Sequence, residues 1–227
     1  MENQTLKEIK KVRPDLSDYV FHFTKGRKAK EVLSSIVSDA AIIDKGRRVH
    51  ICFTEAPLLS LVDMFEIFNQ YDHPMYAPYG IGIRKDELYT NGGRPVIYGP
   101  KSDINLLDDS IHWRFETYDD DHDFTWLREW RIKTIKYKLL PISCFIITNE
   151  YHELLFDTHL EGDITVDADP SDGGIDVSYH NEFIRQWRSI SIEEIKNYKD
   201  QHELASHING QCLDCIDFHM YLGSSWS

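Results

Sequence analysis

Short runs of β-branched and aromatic residues, each closed within a few positions by a turn residue or a proline, constrain this chain more than any other feature. Tyr19-Val-Phe-His-Phe-Thr24, Arg48-Val-His-Ile-Cys-Phe-Thr54, Tyr79-Gly-Ile-Gly-Ile83 and Pro95-Val-Ile-Tyr98 all read as strands, the last entered from the turn Asn91-Gly92-Gly93. Two longer strands are expected over 126–136 and 139–148, separated by a bend near Pro141. Helical spacing is sparser. It appears over 6–12 and stops before Pro14, since Arg13 precedes a proline. It recurs at Ala29, Val32, Leu33 and Ile36, and over 57–69, where Pro57 stands at the tolerated first position. A last helix is expected to start at Ser191, with Glu194 completing a capping box, and to run towards His207. The acidic stretch 157–176 reads as turns. Many short strands with few helices, and no strict βαβ alternation, predict an α+β fold.

At 227 residues, 41% of them hydrophobic and 28% charged, the chain is long enough to bury a core as one domain, 1–227. No run approaches the apolar length of a membrane span, and the polar N-terminus has no signal-like apolar stretch, so a cytoplasmic protein is expected. Cys52 and Cys144 sit in apolar runs and read as small core residues. The net charge of −13 opposes general binding to nucleic acid, but leaves room for a local basic groove.

Three segments carry the residues suited to chemistry: Phe21-His22-Phe23-Thr24, Tyr79 to Lys85 with its continuation to Tyr98, and Phe124-Thr-Trp-Leu-Arg-Glu129-Trp130-Arg131. Strand alternation puts His22 and Thr24 on one face, and Glu129 on one face with Leu127 and Arg131. Each has a plain structural reading. His22 fits a core histidine bonded to backbone, and Glu129 with Arg131 fits an ion pair. His22 and Thr24, closing their strand just before Lys25-Gly26, also make a polar edge suited to a ligand.

In their order along the chain, the His-Phe-Thr strand, Ile-Cys-Phe-Thr-Glu-Ala-Pro, Tyr-Gly-Ile-Gly-Ile-Arg-Lys and Arg-Glu-Trp-Arg resemble bacterial phage-resistance proteins of the AbiGi-like group. More distantly they resemble the ADP-ribosyltransferase fold of DarT-type and CmdT-type toxins. The resemblance covers about residues 19–148 and leaves 149–227 as a C-terminal elaboration. It implies a split, mainly antiparallel sheet that clamps NAD as co-substrate. It implies Glu129 as the catalytic carboxylate on the nicotinamide ribose, and His22 and Thr24 beside the adenosine-side ribose. It further implies an aromatic stacked on nicotinamide, Tyr79 first and Tyr89 or Tyr98 as substitutes. Arg48, or its neighbour Arg47, would pair with the pyrophosphate. No metal belongs to such a site. The role implied is an NAD-dependent toxin in phage defence or a toxin–antitoxin pair, with a protein antitoxin and a possible chaperone as partners. Leu127 stands where transferases that modify arginine carry a second Glu. That favours a nucleic-acid acceptor, RNA ahead of DNA, over a protein one.

Four aspartates in Thr117-Tyr-Asp-Asp-Asp-His-Asp123 would repel phosphate. That loop is either plain solvated surface or a contact for a basic acceptor or antitoxin. His207, Cys212, Cys215 and His219 have zinc-compatible spacing, against the simpler reading of a helix end turned at Gly210. Two other functions stay open. One is a metal-dependent nuclease using the 119–123 carboxylates. The other is a non-catalytic or antitoxin-type module of a defence complex.

Overall fold

The computed structural model describes residues 4–13, 15–44, 46, 49–150, 158–168, 175–185 and 187–211. Along the chain come α1 (Gln4–Val12), β1 (Tyr19–Phe23), α2 (Ala29–Asp39), β2 (Ala41–Ile43), β3 (Ile51–Thr54), α3 (Leu58–Phe68), β4 (Gly80–Arg84) and α4 (Lys85–Thr90). There follow β5 (Arg94–Pro95), β6 (Ile97–Gly99), β7 (Phe115–Thr117), β8 (Glu129–Ile132), β9 (Lys136–Lys138) and β10 (Cys144–Thr148). The rest are β11 (Thr158–Ala168), β12 (Ile175–Arg185), β13 (Arg188–Ser191), α5 (Ile192–Ile195) and α6 (Gln201–Gly210).

Seven strands form one sheet in the order β13-β10-β4-β1-β3-β8-β5. All its pairings are antiparallel except β10 with β13. The architecture is mixed α and β, as the strand-rich pattern predicts, and its main sheet is mostly antiparallel. The sheet is also nearly divided. β1 and β4 are paired along five positions and β3 and β8 along four, whereas β1 and β3 share the single pair Phe21↔Thr54. Four strands lie on one side of this seam and three on the other.

Alternation along β1 explains how both faces are covered. Tyr19, Phe21 and Phe23 point into one apolar layer with Leu58, Leu61, Val62 and Phe65 of α3, Ile195 of α5 and Leu204 of α6. The α3 residues recur at the spacing of one helical face. Val20 points the other way, into a second layer with Leu33 and Ile36 of α2, Ile81 and Ile83 of β4, Leu88 of α4 and Tyr137 of β9. His22 shares the face of Val20.

Gly82 shows how tightly the layers close. It pairs across the sheet with Phe21 and Phe145, and a Cβ on it would lie 2.2 Å from the Phe145 ring. Gly82→Ala is therefore expected to lower stability by ~1–3 kcal/mol, the usual range for forcing extra volume into a packed core. Urea unfolding measures this, and a change within ~0.5 kcal/mol, as at ordinary surface sites, would show that the ring moves aside freely.

Several expected elements change on folding. The strand expected over 126–136 is three pieces: a 3₁₀ turn at Thr125–Leu127, β8, and β9 in a separate ribbon with β2. Arg128 interrupts it with a left-handed backbone, φ +46°. The strand expected over 139–148 starts only at Cys144, because Pro141 opens a 3₁₀ turn. The stretch 157–176, read as turns, contains the whole of β11 and the start of β12, an eleven-residue antiparallel pair. Acidic residues within it are tolerated because pairing is a backbone property. The capping box at Ser191 and Glu194 is present, but its helix ends at Ile195. Asp200 caps a fresh helix, accepting from the N–H groups of His202 and Glu203.

Candidate functional site

Where β1 and β3 part, a cleft of about 950 Å³ opens. Its walls include His22, Lys25, Cys52, Thr54, Tyr76, Glu116, Phe124, Glu129 and Arg131. The volume lies near the top of the ~300–1,000 Å³ range of small-molecule sites, so an extended ligand has room.

His22 bridges the seam through its side chain. Its Nδ1 lies 2.9 Å from the carbonyl oxygen of Cys52, across the gap that ladder bonds would otherwise fill. A carbonyl only accepts, so Nδ1 carries the hydrogen and Nε2 is left as an acceptor. The ring keeps a partly exposed surface but is surrounded by protein. Desolvation, reinforced by the charge of Lys25 and partly opposed by the Cys52 bond, pushes its pKa below the ordinary 6.5. The stabilising effect of neutral His22 is complete above pH ~6.5 and is lost as pH falls from there towards the lower folded-state pKa, because the unfolded chain takes up the proton first. Wild type should accordingly lose more stability than His22→Asn when urea unfolding is compared at pH 7.5 and 5.5. Equal losses in the two proteins would contradict a depressed pKa.

Glu129 opens β8, opposite Thr54 of β3, and is 8% exposed. Its backbone N–H donates to the Tyr98 hydroxyl at 3.1 Å. The carboxylate is gripped by Arg131, two residues on and on the same face: Nε donates to Oε1 at 2.9 Å and a terminal nitrogen to Oε2 at 3.2 Å. Arg131 also bonds the Glu116 carboxylate and the carbonyls of Trp113 and Phe115, which engages all five guanidinium hydrogens. Burial disfavours the Arg131 cation, but its bonds to Glu129 and Glu116 outweigh that and raise its pKa above the ordinary value. An ionised carboxylate has about four acceptor directions, of which the guanidinium takes two. Glu129 is thus held in one orientation with acceptor capacity to spare.

The backbone feeding Glu129 is strained. Arg128 is a non-glycine residue in left-handed geometry, a conformation that costs ~1–3 kcal/mol and gathers at functional sites. It is anchored by an ion pair to Asp15 at 2.8 Å. Just upstream, the Leu127 carbonyl accepts from the Thr54 hydroxyl and from the Glu55 N–H. These bonds fix where β8 begins, and hence where Glu129 projects.

Thr24 and Tyr79 do not join the cleft wall. The Thr24 hydroxyl is shared between the carbonyls of Ala29 and Tyr79, at 2.9 Å each, and acts as a buried clasp where β1 ends. Tyr79 packs beside the second apolar layer. Tyr89 is exposed with the Arg94 guanidinium over its ring at 4.1 Å, and Tyr98 supports the Glu129 backbone. The aromatics that line the cleft are Tyr76 and Phe124 together with Phe21, Phe23 and Phe53. Arg47 and Arg48 lie outside the described residues, as do Cys212, Cys215 and His219. His207 is in α6, with its ring 5.1 Å from that of Tyr198. In the acidic loop, Asp119 bonds His122, and Asp123 accepts from the N–H and hydroxyl of Thr125. Among the described residues, no three His, Cys, Asp or Glu gather as a metal-binding group. No described helix is long and apolar enough to cross a membrane.

Sequence reasoning missed Glu116, Tyr76, Thr54 and Lys25. Only Lys25 had a signal, standing next to Gly26, which turns the chain at φ +75°. Comparison with protein-family models, with curated proteins and with solved structures finds no match.

Proposed function

We propose that this chain is an NAD-dependent ADP-ribosyltransferase, with the cleft at the sheet seam as its NAD site. One observation carries the reading: His22 and Glu129, more than a hundred residues apart in sequence, come from the two sides of the seam to line one cleft. In the reaction, the bond from nicotinamide to the ribose C1′ breaks and its electron pair leaves with nicotinamide. The acceptor nucleophile forms the new bond to C1′ and gives up a proton. Glu129, held in one orientation by Arg131, binds a ribose hydroxyl and stabilises the oxocarbenium-like centre. His22 offers Nε2 as an acceptor to the second ribose, Lys25 a cation to the pyrophosphate, and Tyr76 or Phe124 a face to the nicotinamide ring. A role as a toxin in phage defence, held in check by a protein antitoxin, rests on the sequence resemblance, as does the preference for RNA as acceptor.

The test is incubation with labelled NAD and separate pools of RNA, DNA and protein. Nicotinamide release with label in one pool is expected. Intact NAD in the presence of every pool sinks the reading. A second reading, a non-catalytic module keeping the shape of such a site, is favoured by the grip of Arg131 on both Glu129 oxygens. Intact NAD is the result it requires.

A further inference from the structure

The β2–β9 ribbon forms one border of the cleft. Ala41, Ile42 and Ile43 of β2 line the cleft, and β9 is bonded to β2 through the pairs Ala41↔Lys138, Ile42↔Tyr137 and Ile43↔Lys136. Side chains alternate strictly from there on. Tyr137 and Leu139 are buried, while Lys136, Lys138 and Leu140 face solvent. Lys133 is exposed in the turn before β9. All three lysines line a single hollow of about 370 Å³, together with Asn91, Thr134, Ile132, Tyr137, Leu140 and one carboxylate, Glu87. From 130 to 149 the sequence has Arg131 and these three lysines, and no Asp or Glu, in a chain of net charge −13.

We infer that this hollow and its lysine row are the docking site for the acceptor, and that the acceptor is a single-stranded RNA. The role as acceptor site rests on the transferase reading. The docking itself rests on charge, spacing and shape. Concentrating cations on one strand of an otherwise acidic protein selects a polyanion. Lys136 and Lys138 are two residues apart on one face, about 6.6 Å along the strand, a step comparable to successive phosphates of an extended polynucleotide. The hollow is the size of a small-ligand pocket. Ile132, Tyr137 and Leu140 give it apolar lining among the polar groups, and Asn91, whose Nδ2 already donates to the Glu87 carbonyl and the Tyr137 hydroxyl, keeps Oδ1 to accept from a base edge. A base can enter only when unpaired and unstacked, which excludes regular duplex. RNA is the nucleic acid whose normal state offers unpaired loops and ends. A strand lying across β9 is one β-strand, ~4.8 Å, from the strand that lines the NAD cleft.

Fluorescence anisotropy of a labelled single-stranded RNA oligonucleotide tests this without NAD. The full chain should bind it in a salt-dependent way, and more tightly than the same RNA annealed into a duplex. The triple variant Lys133→Glu/Lys136→Glu/Lys138→Glu should lose at least tenfold in affinity and about two from the slope of log affinity against log salt, as expected for three lost phosphate contacts. The milder Lys→Gln triple should show the same direction, which guards against misfolding of the first. Glu129→Gln should bind as wild type does, and the lysine variants should cleave NAD to water at the wild-type rate. Undiminished binding in both triple variants overturns the inference. So does tighter binding of the matching single-stranded DNA, the RNA duplex or polyglutamate. RNA binding lost in the lysine variants, with no NAD cleavage by any protein, would leave the docking site standing and remove its role as acceptor site.

Discussion

Glu129→Gln is expected to lower NAD cleavage by ~10²–10³-fold, the range seen when one preorganised electrostatic contact to a transition state is lost. The substitution keeps shape and hydrogen-bonding length while removing the negative charge that, in the proposed reaction, would face the developing oxocarbenium centre. Arg131 would still have Glu116 and the carbonyls of Trp113 and Phe115, so the site should keep its geometry. Measuring kcat and KM for nicotinamide release separates the possibilities. A fall in kcat with little change in KM is the signature of an interaction made in the transition state. A rise in KM alone would make Glu129 a binding residue, and full activity would remove it from the mechanism.

Arg131→Met should have the largest effect on stability. The Arg131 and Glu129 side chains are 6% and 10% exposed, so removing the cation leaves one buried carboxylate without its partner, and Glu116 loses its partner as well. Breaking such a pair from one side costs ~3–5 kcal/mol, which in a protein of this size lowers Tm by roughly 6–20 °C. Glu129→Gln should cost much less, since no cation is stranded. The double variant Glu129→Leu/Arg131→Met should recover much of the loss, because two apolar groups replace two charges that need each other. A calorimetric scan in which Arg131→Met melts with wild type would show that water reaches the pair and that the carboxylates are not stranded.

How much of this was legible beforehand varies by element. The β1 strand, the helix α3 and the capping box at Ser191 were all predicted, because each is set by residues within one or two turns of each other. The Glu129–Arg131 pair was likewise foreseeable from spacing alone, since strand alternation joins residues two apart. The break at Arg128 was not. Nothing in Trp-Leu-Arg-Glu forbids a continuous strand, and the left-handed turn is imposed by Asp15, Thr54 and Glu55, which lie far away in sequence.

The same distinction runs through the candidate site. The sequence by itself determined the strand-rich α+β class and the faces on which His22 and Glu129 stand, since alternation and hydrophobic period are local properties of the chain. Only the tertiary structure decided that β1 and β3 meet at one pair and then part. It alone turned the Thr24 hydroxyl to backbone carbonyls, took Tyr79 out of the cleft wall, and set Tyr76 and Glu116 into it. The physical reason is that a cleft is a failure of two strands to pair. That failure depends on what covers each strand and which distant groups satisfy its backbone, and neither is written in the strand's own residues.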